Sequence, residues 1–138
     1  MVVSELRKPR PHGAVAAWIS AQSDRALYVS AVTLGEIQAG LELTRDNDPT
    51  KAVEIEAWLD LVTGRFNVLP VTGRDFRAWA RLLHHQDRRL SEDALIAACA
   101  ANNGLTLVTR NTRDFVGMGV TLLNPWGPEV TASSVGGD

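Results

Sequence analysis

The sequence predicts an α/β domain in which a parallel sheet is flanked by helices, and three observations carry that prediction. Short β-prone runs alternate with stretches of helical periodicity. Cap and turn residues fall between them at short intervals. Acidic residues recur just after the β-prone runs, where open α/β sheets hold their sites. At 138 residues the chain is long enough for one domain with one sizeable core.

Val15, Trp18, Ile19 and Gln22 follow i, i+3, i+4, i+7, so His12–Gln22 is expected to be an amphipathic helix. Leu27–Ser30 reads as a short strand. Thr33–Leu43 is helical again, with Leu34, Ile37 and Leu41 on one face. Asp48 is placed as an N-cap and Pro49 as a first helical residue, opening a helix striped by Ile55, Trp58, Leu59 and Val62 and ended by Gly64. The two helices around Asp46–Pro49 are expected to form an antiparallel pair. Phe66–Val71 reads as a strand, and Gly73–Arg88 as a helix striped by Phe76, Trp79, Ala80 and Leu83. Ser91–Asn103 is an Ala-rich helix, Leu105–Thr109 a strand and Val120–Leu123 a last short strand. The domain is expected over residues 1–126, with a disordered tail over 127–138. Trp18, Trp58 and Trp79 share helical spacing with apolar neighbours, which marks them as packing residues rather than base-stacking platforms.

Composition narrows the function. The chain is 45% hydrophobic and 22% charged, with no apolar run near the roughly 18 residues of a membrane span and no signal-peptide pattern. Its one cysteine, Cys99, excludes a disulfide framework, suits a cytoplasmic location and reads as a small core residue. A net charge of −2 does not advertise nucleic-acid binding. Local clusters do more: Arg74, Arg77, Arg81, Arg88 and Arg89 face only Asp75 and Asp87 in the same stretch. Such patches either hold a phosphate backbone or are solvated helix faces. No phosphate-loop glycine pattern or serine-nucleophile elbow occurs, and His12, His84 and His85 lack zinc spacing.

Glu36, Asp93 and Asp114 each follow a strand or open a helix beside one. Each also reads as a cap. Thr33-Leu34-Gly35-Glu36 fits a capping box, Ser91-Glu92-Asp93 places acids under a Ser cap, and Asn111-Thr112-Arg113-Asp114 fits an Asn-capped turn. Only the coincidence of all three with strand ends favours a site. Converging carboxylates repel one another, and oxygen ligands of this kind suit Mg2+ or Mn2+, which can orient a phosphodiester and activate water.

The motifs then resemble a known family. Val2-Val3-Ser4-Glu5-Leu6-Arg7-Lys8-Pro9 looks like the stretch just after the first catalytic aspartate of VapC/FitB-like PIN-domain toxins. Val32-Thr33-Leu34-Gly35-Glu36-Ile37-Gln38-Ala39-Gly40 resembles their second acidic motif. Glu92-Asp93-Ala94-Leu95-Ile96-Ala97-Ala98 resembles the third, and Leu107-Val108-Thr109-Arg110-Asn111-Thr112-Arg113-Asp114-Phe115 the fourth. Leu123-Asn124-Pro125-Trp126 is similar to the family's common ending. The resemblance implies a PIN-like three-layer sandwich and a toxin of a type II toxin–antitoxin system. That toxin would be an Mg2+- or Mn2+-dependent endoribonuclease, with an antitoxin partner and a homodimer formed through the helix pair around Asp46–Pro49. It maps Glu36, Asp93 and Asp114 onto acidic, metal-holding catalytic positions. Thr109 and Asn111 become polar supports that orient a carboxylate or water, and Arg110, less so Arg113, a contact to the RNA phosphate.

One departure accompanies the match. In the family an apolar first strand ends in an aspartate just before the position of Met1. The chain is therefore expected to lack both that acid and the central strand, with Met1 an internal methionine mistaken for a start. Two rival readings follow: a catalytically dead module that binds the antitoxin, and a receiver-like phosphohydrolase. The second would need a lysine after a late strand, but Lys8 and Lys51 are the only lysines.

Overall fold

The computed structural model describes residues 1–4 and 13–126. The elements run β1 (Val2–Val3), α1 (Gly13–Ala21), β2 (Tyr28–Ser30), α2 (Ala31–Asn47), α3 (Pro49–Arg65), β3 (Asn67–Leu69), α4 (Gly73–Leu83), α5 (Ser91–Asn102), β4 (Leu107–Val108) and β5 (Leu122–Leu123). The five strands form one sheet in the order β3-β2-β1-β4-β5, and every pairing is parallel. The parallel α/β reading holds.

The absent central strand is corrected. Val2 and Val3 are themselves β1, in the middle of the sheet: Val2 is in register with Tyr28 on one side and Leu107 on the other, and Val3 with Val108. Val2 N–H donates to Thr106 O at 2.8 Å, Ser4 N–H to Val108 O at 3.1 Å, and Tyr28 N–H to Met1 O at 2.8 Å. The reason is physical. A ladder needs only backbone, and two β-branched apolar residues can bury opposite faces of a pleat. Both valines are fully buried.

Side-chain alternation then builds three layers. Val2, Tyr28, Leu69 and Leu107 point to one face and pack with Leu83 of α4 and Ala94, Ile96, Ala97 and Ala100 of α5. Val3, Val29 and Val108 point to the other, with Ile19 and Trp18 of α1, Leu34 of α2 and Trp58 of α3. The antiparallel α2–α3 pair has its own seam of Ile37, Leu41, Ala52 and Leu59. Asp48 caps α3 by accepting from Lys51 N–H at 3.1 Å, ahead of Pro49, as its sequence pattern requires. Trp18, Trp58 and Trp79 all pack against the cores, and Trp79 Nε1–H donates to Ser91 O at 2.9 Å. No helix among the described residues is long and apolar enough to cross a membrane. The expected tail over 127–138 lies outside the described residues.

Element ends differ where local chemistry competes. α2 begins at Ala31 because Ser30 is its N-cap, accepting from Val32 N–H at 3.1 Å. Gly64 lies inside α3, which closes at Arg65. α4 stops at Leu83, five residues short of the expected Arg88, because Asp87 caps a separate 3₁₀ turn over Arg88–Leu90. α5 closes on Gly104, whose φ of 64° suits glycine, with Leu105 N–H donating to Ala100 O.

α4 and α5 are joined by a buried carboxylate. Asp75, 2% exposed, accepts from Asn102 Nδ2 at 2.8 Å and from Thr72 N–H and Oγ1 at 2.9 and 3.0 Å. Burial pushes this carboxyl up, but the bonds from Asn102, Thr72 and Cys99 outweigh it and hold it below its ordinary value of 3.8. The Cys99 thiol is pushed up to about 12, by burial first and by neighbouring Asp75 second, so it is an inert core group. A depressed carboxyl contributes stability that is full above its unfolded value and lost as pH falls through the folded one. Asp75→Ala is expected to cost about 2–4 kcal/mol in denaturant unfolding at pH 7. Asp75→Asn should flatten the loss of stability below about pH 4; an unchanged acid limb would show that Asp75 is not held ionised.

Candidate active site

In a parallel sheet all carboxyl ends lie along one edge. Here that edge carries hydroxyls. Ser30 ends β2, Ser4 follows β1 and Thr109 follows β4, and all three are buried. Ser4 Oγ–H donates to Val108 O at 3.3 Å, and Thr109 Oγ1 accepts from Asn111 N–H at 3.0 Å. Thr33, in the first turn of α2, is fully buried, and its Oγ1 has no hydrogen-bond partner among the described residues. As site residues Ser4 and Ser30 were passed over in the sequence, and Thr33 was read only as a cap. For Ser30 the signal was a serine ending a β-prone run directly before a helix.

The three acids lie on α2, on α5 and on the 3₁₀ turn after β4. Glu36 is half-buried in the second turn of α2, its Oε1 shielded from solvent. Because Ser30 rather than Thr33 caps α2, the Thr33–Glu36 capping box does not form. Asp93 is 7% exposed in the first turn of α5. Ser91 is the first residue of that helix, and the N-cap, Leu90, makes no side-chain cap bond, so the expected Ser cap is also absent. Asp114 is half-buried in the 3₁₀ turn Thr112–Phe115. Asn111 makes no side-chain cap bond there; its Nδ2 donates to the Asp114 carboxylate instead. Arg110 is half-buried and Arg113 exposed.

α5, which carries Asp93, packs against both α2 and the 3₁₀ turn, which carry Glu36 and Asp114. The carboxylates themselves do not close into a cage. Among the described residues no group of three or more His, Cys, Asp and Glu is spaced to hold a metal ion. The donor set is all oxygen, from carboxylates and hydroxyls, which fits a hard cation that keeps several of its waters and takes one or two carboxylates. It does not fit a soft metal.

The residues 2–119 match the family model described as PIN domain. The chain belongs to the PIN domain family. This PIN chain is 36% identical over 135 residues to VapC ribonuclease Y4jK of Sinorhizobium fredii, covering 92% of this chain and 94% of that protein. It is 30% identical over 132 residues to toxin FitB of Neisseria gonorrhoeae, covering 91% and 94%. The crystal structure of FitAcB from Neisseria gonorrhoeae superposes with a TM-score of 0.70 at 25% identity, over 92% of this chain and 99% of that one.

The buried Thr33 hydroxyl is a test of this edge, since an unsatisfied buried hydroxyl costs about 1–3 kcal/mol. Thr33→Val is expected to raise stability by about 1 kcal/mol, read as a higher Tm. A lower Tm would mean that water or a neighbouring group satisfies the hydroxyl in solution.

Proposed function

We propose that this PIN chain is the toxin of a type II toxin–antitoxin pair and a metal-dependent endoribonuclease. The observation that carries the reading is the buried carboxylate of Asp93 in the first turn of α5, on an element packed against those bearing Glu36 and Asp114. The relatives named ribonuclease and toxin supply the reaction class.

Asp93 and Glu36 would hold the Mg2+ or Mn2+, with Asp114 completing the acidic edge. The chemistry a bound cation supplies is polarisation of the phosphodiester and acidification of water. The chain's own residues do the rest. Asn111 orients the Asp114 carboxylate through Nδ2–H, and Thr109 Oγ1 fixes the loop by accepting the Asn111 N–H. Arg110 sits beside them, half-buried, to meet the scissile phosphate. Hydrolysis forms one P–O bond from water and breaks the P–O bond to the leaving sugar oxygen, which takes up a proton.

An antitoxin that masks this edge and a homodimer belong to the same proposal. The α2–α3 pair exposes Leu43, Val53 and Leu61, at 68%, 62% and 73%, as apolar surface for a second copy. An RNA substrate implies a cytoplasmic location.

A second reading, a PIN module that binds its antitoxin without cutting RNA, is favoured by two observations. The end of the central strand carries Ser4, whose hydroxyl donates to Val108 O, and the described acids do not form a three-carboxylate cluster.

Cleavage of a labelled RNA pool with Mg2+, Mn2+ or EDTA separates the two. The expected result is cutting that EDTA abolishes and that Asp93→Asn lowers by roughly 100-fold or more, about 3 kcal/mol of barrier. Intact RNA in every lane, from folded protein, favours the binding module.

A further inference from the structure

α4 carries a charged face that its packing does not use. Arg74, Arg77 and Arg81 recur at i, i+3, i+7, which puts them on one side of the helix. All three are exposed, and none takes part in an ion pair among the described residues. The acid within the same stretch points away: Asp75 is buried and bonded to Asn102. The next acid, Asp87, is bound to Arg89 at 3.1 Å. A chain with net charge −2 thus leaves a row of unneutralised guanidinium groups on one helix.

Helix stability does not account for the row. Arg81, in the last turn, gains from the helix dipole, but Arg74 stands in the first turn, where the dipole disfavours a cation. The row also leads to a feature that solvated charge does not need. Past Arg81 lies a surface depression of about 540 Å³ lined by Ala80, Arg81, His84 and His85. The two imidazoles stand edge to face with centroids 4.9 Å apart. Imidazole and guanidinium planes are surfaces on which unpaired bases stack.

We propose that this face of α4 is a track for single-stranded RNA: Arg74, Arg77 and Arg81 hold successive phosphates, and His84 and His85 receive a base. The proposal rests on the ribonuclease reading and says which surface beyond the acidic edge holds the substrate. The track is separate from the chemistry. Arg81 lines a groove with Ala98 and Ala101 of α5, and Ala101 lies about 12 Å along that helix from Asp93. It acts on binding, not on the bond that breaks. An acidic polypeptide would also meet the charges, but it has no use for a stacking depression.

The test is binding of a fluorescein-labelled random-sequence RNA oligomer by Asp93→Asn protein, with and without Arg74→Gln, Arg77→Gln and Arg81→Gln together. Glutamine keeps helix propensity at exposed positions, and circular dichroism checks the fold. The triple change should weaken binding roughly 10- to 100-fold at about 50 mM salt and lower the log–log salt slope by about two. Lysine at the same positions should restore both. With Asp93 intact, the glutamine changes should raise KM for the RNA and leave kcat unchanged. Equal affinity and slope in parent and triple variant would overturn the track alone. Retained RNA affinity with lost binding of poly-glutamate would overturn it in favour of a protein partner. If the parent neither binds nor cuts RNA, the ribonuclease reading fails as well.

Discussion

The backbone of Val2 and Val3 is bonded on both edges, to β2 on one side and β4 on the other, and the rest of the sheet is reached through that pair. Each valine removes its side chain from water on a different face, worth about 1.5–3 kcal/mol apiece. With the ladder bonds, that is a large share of the roughly 5–15 kcal/mol that holds a domain together. The two cores meet back to back across these two residues.

From that strand the candidate site follows. Parallel pairing brings the carboxyl ends of β1, β2 and β4 to one edge, so Ser4, Ser30 and Thr109 line up without any contact between their side chains having to arrange it. Helix α2 starts directly from Ser30, which leaves Glu36 one turn beyond the first. The bond between buried Asp75 and half-buried Asn102 ties α4 to the far end of α5, the helix that carries Asp93. Sheet, caps and helix joint are one continuous support for the acids.

Much of this was legible in sequence, because periodicity reports what is buried. Ile37 and Leu41 lie in the α2–α3 seam, and the Asp48–Pro49 start of α3 follows from cap chemistry alone. What stayed illegible depends on competition between nearly equal local options. Thr33 suits a cap as well as Ser30 does, and only the end of β2 decides for Ser30. A two-residue strand has no period to read, so Val2–Val3 could not be told from a loop. Asp75 stood in a readable Thr72-x-x-Asp75 box, yet a charge among arginines reads as solvated unless its partner on another helix, Asn102, is known. The positions of Glu36 after β2, Asp114 after β4 and Asp93 at the start of α5 were readable. Whether their carboxylates close around a cation depends on rotamers that no spacing encodes.

Native-state amide hydrogen exchange tests the central claim most directly. If β1 is the middle of the sheet, the amides of Ser4, Tyr28 and Thr109, bonded to Val108 O, Met1 O and Leu123 O, will be among the slowest to exchange. They will open only with global unfolding. Exchange of Ser4 and Tyr28 at the rate of an unprotected chain, while Thr109 stays protected, would contradict the account by removing β1 from the sheet.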